Sequence, residues 1–170
     1  IRDFRIYQKQ DDGEEKLIGC AKTVWAVLDL NSREIVNVFD LPMFENSVDG
    51  EVLTMARAPK MQALHLGNLE NGAVILKADE ILHEIQYSDV DYNRHCNSCK
   101  YLEWMVNASP FTDNTRPFRL DINYVKELYE NDVMYTRFVK TSDSTQYQQV
   151  DENGTTCCSA KISLIEKLSC

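Results

Sequence analysis

Between Ile81 and Tyr124 the chain changes its apolar period twice. Ile81, His83, Ile85 and Tyr87 alternate with polar neighbours, as in a strand with one face partly wet. Tyr101, Leu102, Met105 and Ala108 then fall on one stripe at helical spacing, with Trp104 at its flank. This predicts a helix over 98–108, capped by Asn97 and stopped by Ser109-Pro110. Phe118, Leu120, Ile122 and Tyr124 alternate again, predicting a strand that buries one face, with Val133, Tyr135, Arg137 and Val139 continuing as its hairpin partner. Residues 144–150 and 155–165 read as two more strands around the turn signal Glu152-Asn153-Gly154. The order is strand, helix, then four strands in hairpins. An antiparallel sheet wrapped on a helix satisfies both apolar surfaces, so the class is α+β.

The start of the chain repeats part of this pattern. Residues 2–9 and 17–30 read as two strands around Asp11-Asp12-Gly13, the second of them long and rich in small and β-branched residues. Both hairpins carry an Ala-Lys dipeptide at the equivalent point, Ala21-Lys22 and Ala160-Lys161, so two copies of one supersecondary unit are expected. Residues 39–78 lie between the copies. Pro42, Pro59, Gly67 and Gly72 interrupt them, and a short helical patch over Val48–Met55 fits the pattern. We read this stretch as a linker packed against the domains, with no chemistry of its own. Residues 79–170 then make a complete second copy, while residues 1–38 supply only the closing strands of a first, whose helix and opening strands are expected upstream of Ile1.

Composition removes several classes. The 170 residues are 44% hydrophobic and 26% charged, ordinary for a globular domain. No run approaches a membrane span, and a formal charge of −9 speaks against nucleic acid. Six cysteines include a Cys-x-x-Cys, Cys96 and Cys99, next to His95. One such pair is half a zinc site, so structural thiols are the expectation, with no metal and no cofactor, in the cytoplasm or another reducing compartment.

The chemistry-bearing stretch is the polar spur between the first strand and the helix: Asp89, Asp91, Asn93, His95 and Asn97. Each of the Asp and Asn residues can serve as a turn or cap residue. Asp89 is read that way. Polar side chains at a strand-to-helix junction also sit beside unpaired helix N–H groups, which suits a carbonyl or a developing oxyanion. The spacing Asp91-Tyr-Asn93-Arg-His95-Cys-Asn97-Ser-Cys-Lys-Tyr101 resembles the Asp-x-Asn-x-His-x-Asn-Asn-x-x-Tyr of the acyl-(acyl carrier protein) thioesterases of plants and bacteria, with Ser98 for the second Asn. Tyr124-Val-Lys-Glu127-Leu128 is similar to that family's Tyr-x-x-Glu-Cys, with Leu128 where Cys is usual.

The resemblance implies a hotdog fold, two copies per chain packed as a pseudo-dimer, and hydrolysis of a fatty acyl thioester on the phosphopantetheine arm of acyl carrier protein. A homodimer is a further arrangement it allows, and a plant member would work in the plastid stroma. Carried over residue by residue, it makes Asp91, Asn93, His95 and Glu127 the site. Without a Cys at position 128, attack by water is the economical route. Glu127 is favoured as base, and Asp91 orients His95 or Asn93. Asn93 and His95 donate to the oxyanion or the leaving thiolate, with helix-start amides beside them. Partial desolvation of the two carboxylates is expected at their strand ends. A basic patch around Arg94, drawing on Arg116, Arg119, Lys126, Arg137 or Lys140, is needed to meet an acidic carrier. Two alternatives remain: an acyl-CoA thioesterase or hydratase of the same fold, and a non-catalytic acyl-binding hotdog protein. The enoyl hydratase pattern, with Pro after Asn and one more residue before His, is not matched at Arg94.

Overall fold

The computed structural model describes residues 1–42, 52–64, 81–109 and 116–168. Gly67, Gly72, Pro110 and the first half of the helical patch expected at Val48–Met55 lie outside them, and residues 52–55 of that patch are not helical. The chain forms two compact units, Ile1–Arg57 and Ala58–Lys167, each described by itself.

The first unit is a hairpin of β1 (Arg2–Lys9) and β2 (Glu15–Thr23), followed by a two-residue pair of β3 (Val27–Leu28) and β4 (Ile35–Val36). The single strand expected over 17–30 is therefore broken at Thr23. The turn works because Gly13 takes a φ of 87° that side chains disfavour. On the polar face of this hairpin, Asp3 and Lys22 hold the backbone of Leu53: the Leu53 amide donates to Asp3 Oδ2 at 2.9 Å, and Lys22 Nζ donates to the Leu53 carbonyl at 2.7 Å. The opposite face shows Phe4 and Ile6 to solvent.

The second unit is a five-stranded antiparallel sheet with one helix. Its strands are β5 (Ile81–Glu84), β6 (Phe118–Tyr124), β7 (Val133–Lys140), β8 (Ser144–Asp151) and β9 (Thr156–Leu164), in the spatial order β5-β7-β8-β9-β6. The strand Phe118–Tyr124 thus pairs with β9, not with the Val133 strand expected beside it. Phe118, Leu120 and Tyr124 are exposed on it, so among the described residues the face expected to be buried is largely open. The expected first strand also ends early. Tyr87 lies in a 3-10 turn over Tyr87–Asp89 and is exposed.

Helix α1 (Ser98–Ala108) lies where the apolar stripe requires, with Tyr101 and Met105 packed against Met134, Tyr147 and Ala160. Three sheet side chains also donate to helix carbonyls along its length. Tyr124 reaches Ser98 at 3.0 Å, Gln149 reaches Tyr101 at 2.9 Å and Tyr147 reaches Ser109 at 2.9 Å. Each such bond contributes about 1 kcal/mol net. Together they fix the helix lengthwise as well as rotationally, which hydrophobic contact alone does not.

The two hairpins run in a similar register. Phe4 pairs with Ala21 as Tyr147 pairs with Ala160, and both hairpins slip by one residue just beyond, at Ile6/Tyr7 and Gln149/Val150. Gly154 repeats the positive φ of Gly13, at 76°. On the outer face of the second sheet, the Met61 amide donates to Asn123 Oδ1 and the Leu64 amide to Gln148 Oε1, each at 3.1 Å. Leu53 is thus held within the first unit, and Met61 and Leu64 within the second, by backbone bonds to polar strand side chains.

Candidate active site

The turn that carries Asp91, Asn93 and His95 is built by Asp91. An antiparallel bridge between Val90 and Cys96 closes the segment, and the Asp91 amide donates to the His95 carbonyl at 2.8 Å. Inside it, Asp91 Oδ1 accepts the amides of Asn93 at 2.8 Å and His95 at 3.2 Å. Arg94 sits at φ 64°, in the left-handed region, and donates its amide to the Asp91 carbonyl at 3.0 Å. Asp91 therefore orients both Asn93 and His95, through their backbone amides. The Asn93 side chain is exposed and has no partner among the described residues.

Glu127 arrives from the other motif. The Cys96 amide donates to the Leu128 carbonyl at 2.7 Å, and His95 bridges to Tyr129. That register sets Glu127 Oε1 3.5 Å from His95 Nδ1. The distance is in ion-pair range and a little long for a hydrogen bond. Tyr129 closes the group: its ring meets the His95 ring edge-on at 5.2 Å, and its hydroxyl donates to Glu127 Oε2 at 3.4 Å. The Glu127 side chain is 64% exposed and that of His95 33%. Asp91 is exposed as well. The burial expected for the two carboxylates is not found.

Sequence reasoning named Asp91, Asn93, His95 and Glu127, and the structure brings His95 and Glu127 into contact while Asp91 holds the turn. It missed Tyr129. The signal available was its position two residues after Glu127, which puts both side chains on one side of an extended chain.

The helix start offers less than expected. Asn97 caps it, its Oδ1 accepting the Cys99 amide at 3.0 Å and its carbonyl accepting the Lys100 amide at 2.9 Å. Ser98 is left as the first-turn amide that the cap does not take up. Asp89 is structural, as expected. It is buried, it accepts the Gln86 amide at 3.0 Å, and it pairs with Lys100 at 3.4 Å.

The cysteines point away from chemistry. Cys96 is buried in the core with Leu128 and Tyr101, and burial pushes its thiol up to about 12. Burial also pushes Cys157 up to about 11, and Cys158 higher still. Cys99 is exposed. Cys20, in β2, is disulfide-bonded and so is not the free structural thiol expected there. No three His, Cys, Asp or Glu side chains converge on a metal-sized site among the described residues. His83 stacks on Trp104 at 4.9 Å with its Nε2 buried, and burial holds its imidazole below the ordinary value against the opposing pull of Asp89. A cleft of about 110 Å³ beside Lys126 and Asp151 is polar and touches neither His95 nor Glu127. No helix is long and apolar enough to cross a membrane among the described residues.

The chain resembles the structure of an acyl-ACP thioesterase from Bacteroides thetaiotaomicron, at 22% identity and a TM-score of 0.64, over 96% of this chain and 62% of that one. It also resembles the 12:0-ACP thioesterase of Umbellularia californica, at 15% identity and a TM-score of 0.56, over 92% of this chain and 59% of that one. At such identities the likeness speaks for the fold, an α+β hotdog, and the chain spans about three-fifths of either relative's length. No curated protein sequence matches significantly. The family model of the acyl-ACP thioesterase C-terminal domain matches residues 72–166, more than half of the chain, and the chain belongs to that family.

Proposed function

We propose that this chain carries the catalytic residues for hydrolysis of a fatty acyl thioester on acyl carrier protein, releasing a free fatty acid. One observation carries the reading: in a chain of this family, two motifs more than thirty residues apart meet as His95 Nδ1 and Glu127 Oε1 at 3.5 Å. Residues 79–170 are read as the catalytic hotdog copy, and residues 1–38 as the closing strands of a first copy, paired with it as a pseudo-dimer.

The base is the pair. Glu127 alone, the base expected from sequence, has one oxygen turned to Nδ1 and the other taken by Tyr129. Nε2, across the ring, is left to take a proton from water. Water adds to the thioester carbonyl as its proton passes to Nε2, and the carbonyl oxygen becomes an oxyanion facing the Asn93 side-chain amide and the Ser98 backbone amide. The C–S bond then breaks, and the proton on Nε2 goes to the departing thiolate. Asp91 keeps Asn93 and His95 in place. No cofactor or metal is required for any step.

The test is thiol release from acyl carrier protein and from acyl-CoA. Glu127→Gln keeps the shape but cannot hold a protonated imidazole, and turnover should fall by about 100-fold or more. Near-normal turnover would move the role to Asp91. The presence of Leu128 where the family has Cys favours a second reading, a non-catalytic acyl-binding protein. That reading requires acyl binding with no thiol release. Faster release from acyl-CoA than from the carrier would favour the acyl-CoA thioesterase.

A further inference from the structure

We infer that Tyr129 is a positioning residue that locks the Glu127–His95 pair; this rests on the reading of that pair as the base. Tyr129 contacts both members by different means. Its hydroxyl donates to Glu127 Oε2 at 3.4 Å, which turns Oε1 toward His95. Its ring edge stands on the imidazole at 5.2 Å and 88°, which limits rotation of the ring about its own axis.

The residue is itself held firmly. The Tyr129 amide donates to Asp132 Oδ2 at 2.9 Å, and its carbonyl accepts the Asp132 amide at 3.1 Å. Asn131, at φ 71°, donates its amide to Ile85, and the Ile85 amide donates to Asp132, each at 2.9 Å. A closed turn tied to the end of β5 therefore sets the Tyr129 ring. An exposed glutamate outside any strand has several open rotamers, and a partner on its second oxygen removes most of them. Nothing in the protein's core requires this tyrosine: its side chain is half exposed, while its neighbour Leu128 fills the core.

Tyr129→Phe removes the hydroxyl and keeps the ring. It should lower kcat about tenfold, the effect of one hydrogen bond to a charged group, and leave KM within about twofold. The loss should vanish in the Glu127→Gln background, because the hydroxyl acts through that carboxylate. The ¹⁵N spectrum of His95 gives a readout that needs no turnover. One neutral tautomer, with the proton on Nδ1, should dominate in the native protein and give way to a mixture in Tyr129→Phe and in Glu127→Gln alike. Unchanged kcat and an unchanged His95 spectrum in Tyr129→Phe, with activity lost in Glu127→Gln, would overturn the inference and spare the base. So would a raised KM at constant kcat, which would make Tyr129 a substrate contact. Normal activity in Glu127→Gln would instead remove the reading of the pair on which the inference stands.

Discussion

The Cys96 amide donates to the Leu128 carbonyl at 2.7 Å, joining the two sequence motifs edge to edge. Alternation along both segments then sorts their side chains. His95, Glu127 and Tyr129 share the open side, while Cys96 and Leu128 enter the core under the helix. Chemistry and packing are thus separated residue by residue along the same two bridged segments.

Restoring the family's cysteine tests this separation. Leu128 is 1% exposed and faces away from His95 by alternation. Leu128→Cys should leave turnover within about threefold, form no acyl-enzyme detectable by mass spectrometry, and destabilise the domain by about 2 kcal/mol through the lost side-chain volume. An acylated Cys at position 128 would mean that the residue faces the substrate.

The native thiols should sort in the same way. Cys96 and Cys157 are buried and pushed up to about 12 and about 11, so their thiolate fraction at pH 8 is negligible. Brief alkylation of the folded protein at pH 8 should therefore modify Cys99 and spare Cys96, Cys157 and Cys158, with activity retained. Replacing Cys96 and Cys99 with Val and Ala should likewise retain activity. Stoichiometric zinc lost on that replacement would contradict the structural role.

The parts of this arrangement that sequence made legible are local. Asn97 before an apolar stripe marks a cap because its side chain reaches the Cys99 amide two residues on. Asp12-Gly13 and Asn153-Gly154 mark hairpins because the glycines accept positive φ. Long-range pairing left no comparable mark. Phe118–Tyr124 alternates equally well beside β7 or β9, and β9 is selected because β5 and β8 occupy both edges of β7. The site divides the same way. The family resemblance put forward Asp91, Asn93, His95 and Glu127, but the contact between His95 and Glu127 depends on the Cys96–Leu128 register. The same cap that made the helix legible takes up two of the amides expected to bind an oxyanion.

The pair Lys126–Asp151 should make the second hairpin acid-sensitive. Asp151 is 5% exposed, meets Lys126 Nζ at 2.6 Å, and accepts the Asn153 and Thr155 amides of its own turn. The Lys126 ammonium first, and then those amides, hold its carboxyl below the usual range. A lowered carboxyl contributes stability that is present above the unfolded value near 4 and is lost as pH falls through the folded value. Denaturant midpoints of the native protein should therefore drop below about pH 4. Asp151→Asn should lower the midpoint at pH 7 and flatten that part of the profile. A parallel profile in the variant would assign the acid loss to other carboxylates.

Recognition of an acidic carrier needs cations that are free to meet it, and the structure narrows the set expected from sequence. Arg119 is fixed to Asp121 through Nε at 2.9 and 3.0 Å and Nη2 at 2.8 Å. Lys126 is held by Asp151. Arg94 stands exposed on the turn that bears Asn93 and His95. Charge reversal at Arg94 should therefore raise KM for acyl carrier protein about tenfold more than for acyl-CoA, and 0.5 M salt should shrink that gap, since the Debye length falls to about 4 Å. Arg119→Glu should lower stability, through repulsion of Asp121, and leave the ratio of the two KM values unchanged. An equal rise for both substrates in the Arg94 variant would show that Arg94 meets the phosphopantetheine arm they share. A change of ratio in the Arg119 variant would shift the carrier's footprint to the edge strand β6.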